Sequence, residues 1–215
     1  MATPVRREPD TTGWPTRELI LLKASHLFAN RGFLGTSTRD IAEAVGIRQP
    51  SVYSHFASKQ AIAEELLRRD LEGGSEALER IVAEGGGPPV ELYRYLLWEI
   101  THDLESPFDL RSLYLGDLLD LPEFAETRRL LRRYDAIVKS VIVRGIESGD
   151  FHDVDPRFAQ RAVDALILQA MRGSAVRVSP LPDEPDETAT FVLRSLLARP
   201  SRLAAVRAAA HKAGI

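Results

Sequence analysis

Apolar residues in this chain recur every three or four positions, and no stretch alternates convincingly with period two. Ile20, Ala24, Leu27 and Phe28 fall at i, i+4, i+7 and i+8, the spacing of one buried helix face. They predict a first helix starting after Thr16, a usable N-cap, and running to Arg31. Gly32 supplies the stop, and Phe33 can fold back against the last turn. Ser37 predicts the cap of a second helix, with Asp40 at capping-box distance and Ile41, Ala42 and Val45 facing inward. After a sharp turn at Gly46, a third helix is predicted near Gln49–Pro50, with Val52 and Phe56 toward the core. Ser58 can cap a long fourth helix through about Ala83, ending at the break GGGPP (85–89).

Past that break the period stays helical. Residues 90–104 place Leu92, Leu96 and Ile100 along one face. Pro107 can open another helix through about Leu119, and Glu123 to Gly149 reads as a long one carrying Leu130, Ile137, Val141 and Ile146. Pro156 sits in the first turn of a helix over 155–177. A loop rich in Pro and acid (179–186), a helix around 186–198 and a final Ala-rich helix complete an all-α chain of about nine or ten helices.

Residues 36–59, TSTRDIAEAVGIRQPSVYSHFASK, combine helix, tight turn, short second helix and the start of a third, with polar and basic side chains around the second. That is the layout of a helix-turn-helix, whose second helix enters a DNA major groove. Net charge looks unfavourable at −3 until it is divided. Residues 1–60 hold eight basic and five acidic side chains, net +3, and the remainder 20 and 26, net −6. A mildly basic head on an acidic body suits a DNA-reading module joined to a part with another task. The chain has no cysteine, as expected in a reducing cytoplasm, and its apolar runs are too short to span a membrane. Residues 1–15 read as a mobile arm without the apolar core of a signal peptide, and Arg6 and Arg7 as part of a plain disordered terminus rather than a minor-groove reader.

The run from Ala24 through Phe33, then TSTRDIAEAVGI and RQPSVYSHFASKQAI, resembles the DNA-binding domain of the TetR family of bacterial transcriptional regulators. Phe28, Gly32-Phe33, Thr36, Ile41-Ala42, Gly46, Tyr53, His55-Phe56 and Ser58-Lys59 carry the resemblance, and GIESGDF (145–151) falls where such proteins often end a long seventh helix. It implies a helix-turn-helix reader (16–60) and a larger helical domain (61–215) that dimerises and often encloses an inducer pocket.

Thr38 and Arg39 lie in the first turn of the second helix, placed for a phosphate or a groove edge. Arg48, Gln49 and Ser51 lie at the N-terminal end of the third, the end that approaches bases. Arg can pair bidentately with guanine and Gln with adenine, while Pro50 can only touch a thymine methyl. Tyr53, His55 and Lys59 read as phosphate anchors. Local alternatives stand beside these roles: Tyr53 can pack near Phe56, and Arg39 can pair with Glu43 at i+4. Arg48 also occupies the cap position where the family commonly has Ser or Thr, which weakens the cap by ~1 kcal/mol.

In the larger domain, Tyr93, Trp98, His102, Tyr114, Phe124 and Tyr134 could line a pocket for a small, largely apolar inducer, although aromatics at helical spacing usually form core. No His pair has metal-ligand spacing with a third partner, and no catalytic constellation or cofactor motif is recognisable. Ala162, Leu166, Ala170 and Gly173, with Phe191 and Leu196, mark two helices that by resemblance form a four-helix homodimer interface. The sequence therefore predicts a dimeric repressor on a pseudo-palindromic double-stranded operator, released by a small ligand and lying in the cytoplasm, with no cofactor and no membrane partner. A ligand-independent regulator or activator is the alternative, and a small helical enzyme the remote one.

Overall fold

The computed structural model describes residues 9–115, 117–173 and 183–214. The helices are α1 (Thr16–Arg31), α2 (Thr38–Val45), α3 (Gln49–Tyr53), α4 (Lys59–Glu84), α5 (Pro88–Glu105), α6 (Arg111–Leu115), α7 (Ala125–Glu147), α8 (Pro156–Gly173), α9 (Glu184–Leu196) and α10 (Leu203–Ala213). Short 3-10 turns cover Asp117–Asp120, Pro122–Phe124 and Pro200–Arg202. Among the described residues there is no strand, only one isolated bridge between Phe151 and Leu197. None of the described helices is long and apolar enough to cross a membrane. Arg6, Arg7 and residues 174–182 lie outside the described residues, and with them half of the predicted loop over 179–186, whose last three residues open α9 instead.

Several boundaries differ from the sequence pattern for local reasons. Thr16 is the first helical residue of α1 and Pro15 holds the cap position, without a side-chain cap bond. Pro88 and Pro89 lie inside α5, in a first turn whose N–H groups would be unbonded anyway. Pro107 opens no helix. Its carbonyl lies 2.9 Å from His26 Nε2, and the Asp109 N–H donates to Ser25 Oγ at 3.1 Å. The backbone groups of Pro107 and Asp109 thus bond to α1 while the Phe108 N–H turns to Ser106 Oγ at 3.2 Å, and α6 starts only at Arg111, whose N–H meets Asp109 Oδ1 at 3.4 Å. Likewise α7 starts at Ala125, after the turn Pro122–Phe124.

The chain divides into two compact units whose boundaries fall within α4, at the end of α5 and within α7. One comprises the described residues of Arg6–Glu72 and Ser106–Leu131. Its core includes Ile20, Leu21, Ala24, Phe28, Ile41, Val52, Phe56 and Ile62, all buried. An ionic lattice ties α1 to α4: Arg17 to Glu65 at 3.1 Å, Arg69 to Glu18 at 2.8 Å and Arg69 to Glu65 at 2.8 Å. Burial pushes the Glu65 carboxyl up, but hydrogen bonds from Arg68, Arg69 and Arg17 outweigh it and bring it down to about 2.

The other unit comprises the described residues of Gly73–Glu105 and Arg132–Ile215. Here α5 is central, packed by α8, α9 and α10. Tyr93, Tyr95, Leu96 and Ile100 on α5 are fully buried. Tyr93 OH donates to Asp186 Oδ1 at 2.5 Å, and Asp186 also bonds Arg207 and His211 of α10. Gly145 is required by a close approach: a Cβ there would stand 2.1 Å from the ring of Phe151, which is itself buried. The Phe151 N–H donates to the Gly145 carbonyl at 2.8 Å, so GIESGDF ends α7 as a packed corner.

Candidate nucleic-acid interface

The second helix of the reading head is fixed by its own sequence. The Ser37 N–H donates to Asp40 Oδ2 at 2.8 Å, and the Asp40 N–H donates to Ser37 Oγ at 3.1 Å, closing a capping box. The hydroxyl and amide of Ser37 hold the Asp40 carboxyl below the usual carboxylate range. Gly46 then turns the chain with φ 80°, a left-handed conformation that would strain any side chain, and its N–H closes α2 onto Ala42 and Glu43. Buried Thr36 donates to the carbonyls of Gly32 (2.9 Å) and Leu27 (3.3 Å) and thereby finishes α1. Phe33 folds back onto Phe28, ring centroids 5.4 Å apart, as the sequence predicts.

Seven of the nine side chains expected at DNA are exposed: Arg39, Arg48, Gln49, Pro50, Ser51, Tyr53 and His55. Thr38 and Lys59 are half-buried. Gln49 Nε2 donates to Thr38 Oγ1 at 2.9 Å, and Thr38 Oγ1 lies 3.1 Å from Tyr53 OH. Thr38 therefore bridges α2 to both ends of α3, a contact no local pattern announces. Arg39 pairs with Glu43 at 3.1 Å across one helical turn, the ordinary surface arrangement. Arg48 holds the cap position of α3 through its carbonyl, which accepts from the Ser51 N–H at 2.9 Å, and its side chain makes no hydrogen bond or ion pair among the described residues.

Lys59, expected as a phosphate anchor, has partners inside the head. Its Nζ donates to the carbonyls of Phe33 and Thr36, both at 2.6 Å, and sits 4.2 Å from the centre of the Phe33 ring. The ammonium is spent inside the head, where it clamps the α1–α2 turn to the start of α4. Burial shifts its pKa down from the usual lysine value.

The six residues expected to line an inducer pocket fall in both units. Tyr114 and Phe124 belong to the same unit as the reading head, where Tyr114 OH donates to Asp70 at 2.5 Å and Phe124 packs edge-on to Phe33. In the other unit Tyr93 is bonded to Asp186 and Tyr134 to Tyr95, OH to OH at 2.5 Å. Trp98 stacks on exposed His102 at 4.8 Å. Each of these groups has a partner within its own unit, as aromatics at helical spacing usually do.

Of the residues expected at a dimer interface, Ala162 and Phe191 are exposed and Leu166 is half-buried. Ala170 and Leu196 are buried in the chain's own core and offer no surface to a partner. Gly173 ends α8, and its surroundings lie outside the described residues. Phe158, missed in the sequence, is 69% exposed on α8, four residues before Ala162; Phe191 on α9 is 63% exposed.

Comparison with known proteins bears on the same residues. The profile of bacterial regulatory proteins of the tetR family matches residues 20–66. The HTH-type transcriptional repressor KstR2 of Mycolicibacterium smegmatis is 32% identical over 157 residues, spanning 68% of this chain and 75% of the relative. The crystal structure of AmtR from Mycobacterium smegmatis superposes with a TM-score of 0.82 at 27% identity, over 95% of this chain and 97% of that one. The ketosteroid transcriptional regulator KstR2 of Mycobacterium tuberculosis superposes with a TM-score of 0.71 at 25% identity, over 86% and 96%. With its capped α2, its Gly46 turn and a short α3 presenting an exposed polar face, the chain belongs to the TetR family of DNA-binding transcriptional regulators.

Proposed function

We propose that the protein is a dimeric repressor that reads a pseudo-palindromic operator with α3 of each subunit and releases it when a small, largely apolar ligand binds. One observation carries the reading: Arg48, Gln49, Pro50 and Ser51 form an unobstructed face on a helix whose orientation is fixed by the α2 capping box and Thr38. Arg48 and Gln49 read base edges, Ser51 and Pro50 add close contacts, and Thr38, Arg39, Tyr53 and His55 meet the backbone. Residues 16–60 act as the reading head. The exposed Phe158, Ala162 and Phe191 support an isologous pairing of α8 and α9. Such a dimer sets recognition helices about 34–36 Å apart. The relative KstR2 of Mycolicibacterium smegmatis is a repressor, which supports repression. The KstR2 of Mycobacterium tuberculosis is a ketosteroid transcriptional regulator, which supports an apolar ligand.

Footprinting on the DNA flanking the protein's own gene tests this directly. Two protected half-sites one helical turn apart are expected, with Phe191→Glu giving monomers that protect neither. No specific protection at moderate salt would sink the reading, and a single asymmetric half-site would sink the dimer.

A further inference from the structure

The described residues expose six large hydrophobic side chains: Leu34, Tyr53, Leu115, Leu121, Phe158 and Phe191. Tyr53 lies on the reading face, and Phe158 and Phe191 lie on the α8–α9 face. The other three surround one feature. Leu34, Leu115 and Leu121, with Phe33 and Leu118, line a half-open cleft of about 420 Å³ within the unit that carries the reading head. One wall is Arg31–Gly35, the end of α1 and the turn that leads to the α2 cap; the other holds Ser112, Leu115, Leu118 and Leu121. Leu34 is 86% exposed, and with Leu115 and Leu121 exposed in the same lining the apolar surface is a patch rather than a single stray residue. Ser112 Oγ is buried in the second wall and has no hydrogen-bond partner among the described residues. Arg31 is the one charged residue of the lining, and its only ion pair among the described residues is a long, exposed one to Asp40 at 3.5 Å.

We infer that this cleft is an effector site for a small amphiphilic carboxylate, its apolar body against the leucines and its carboxylate on Arg31. The volume is that of a small-molecule pocket, too small for a protein segment of any length. A carboxylate on Arg31 competes with Asp40, and Asp40 is the side chain that completes the Ser37 capping box of α2. A body that parts Leu34 from Leu115 also pulls on Phe33, whose carbonyl is held by Lys59 and whose ring packs on Phe28 and Phe124. Ligand binding and the DNA-ready setting of α2 and α3 thus draw on the same turn, and a ligand preferring the parted turn weakens DNA binding by linkage. This inference rests on the DNA-reading function proposed above.

Dodecanoate, well below its micelle concentration, is the probe, with dodecanol and dodecylamine as controls of equal length. Melting temperature and affinity for the footprinted operator are measured on the full chain, on Leu115→Trp, which fills the cleft from a partly exposed position, and on Arg31→Gln. Dodecanoate is expected to raise the wild-type melting temperature and weaken operator binding about ten-fold or more. Dodecanol should do less and dodecylamine least. Leu115→Trp should lose both responses to dodecanoate, whatever its own starting affinity for operator, and Arg31→Gln should erase the advantage of dodecanoate over dodecanol. Equal stabilisation of wild type and Leu115→Trp would overturn the site, as would no stabilisation of wild type by any probe. Stabilisation of wild type by dodecanoate without any change in its operator affinity would overturn the effector role. If the unliganded protein binds no operator, the DNA reading itself has failed and with it the effector role, while the melting temperatures still judge the cleft.

Discussion

Replacing Lys59 by methionine separates a clamp from a phosphate anchor. Methionine keeps the unbranched apolar stem and removes only the ammonium. Two hydrogen bonds to carbonyls are lost, those to Phe33 and Thr36, each 2.6 Å long. Charge-assisted bonds of this kind contribute about 1.5–3 kcal/mol each when buried. Lys59 is only half-buried, so water can rescue part of the loss, leaving about 1 kcal/mol per bond. The contact with the Phe33 ring adds about 0.5 kcal/mol. The expected destabilisation is therefore about 2–3 kcal/mol, read in urea as a lower midpoint at unchanged m-value. Operator affinity, measured on folded protein across a salt series, should keep its slope, because the ammonium neutralises no phosphate. A phosphate contact contributes about 0.9 to that slope, so its loss from both subunits would lower it by about two. A lowered slope with stability intact would refute the clamp.

Arg48→Ser should gain about 1 kcal/mol of stability by restoring a cap to α3 while losing about 1–3 kcal/mol of operator binding; thermal melts and competition binding must move in opposite directions. Gly145→Ala should cost about 1–3 kcal/mol, because the new methyl overlaps the buried Phe151 ring, and a neutral result in urea would mean that the α7 corner yields freely. Asp164 is pushed up from 3.8 to about 7 by burial and then by Asp135. Its folded pKa exceeds its unfolded one, so its contribution is complete below about 3.8 and is lost as pH rises through about 7. Asp164→Asn should therefore match wild type in acid and melt higher than wild type at pH about 8; a constant difference across that range would rule this out.

The parts of the fold that were legible in the sequence are those decided within one or two turns of chain. Ser37 and Asp40 find each other three residues apart, Gly46 needs no distant partner, and Phe33 reaches back only to Phe28. What the sequence does not show involves groups claimed by a remote segment. Pro107 looks like a helix start until His26 and Ser25, both more than 80 residues away, take the backbone groups of 107 and 109. Lys59 looks like a phosphate anchor because a lysine at a helix start can serve as one; nothing local shows that the carbonyls of Phe33 and Thr36 fold back to meet it. The partners of the aromatic residues are hidden for a related reason. Helical spacing says that Tyr93 and Tyr134 face inward, but not that Asp186 and Tyr95 wait there to bond them.

The same distinction bears on how Arg48 and Gln49 divide the work of reading. Gln49 already donates to Thr38 Oγ1, which lies in turn beside Tyr53 OH, so a new bond to a base edge is made partly at the expense of an existing one. The exchange costs little orientation, since the amide is already held near the surface of α3. Its net gain in affinity is small, and its value lies in discrimination, because a wrong base leaves a displaced amide without a partner. Arg48 gives up no hydrogen bond or ion pair among the described residues, only water and the freedom of a long exposed side chain. A bidentate contact to guanine then appears almost whole in the binding energy. The weak cap at α3 follows from this arrangement: a serine there would bond its own helix, whereas the arginine leaves the helix slightly less stable and keeps its five donors for DNA.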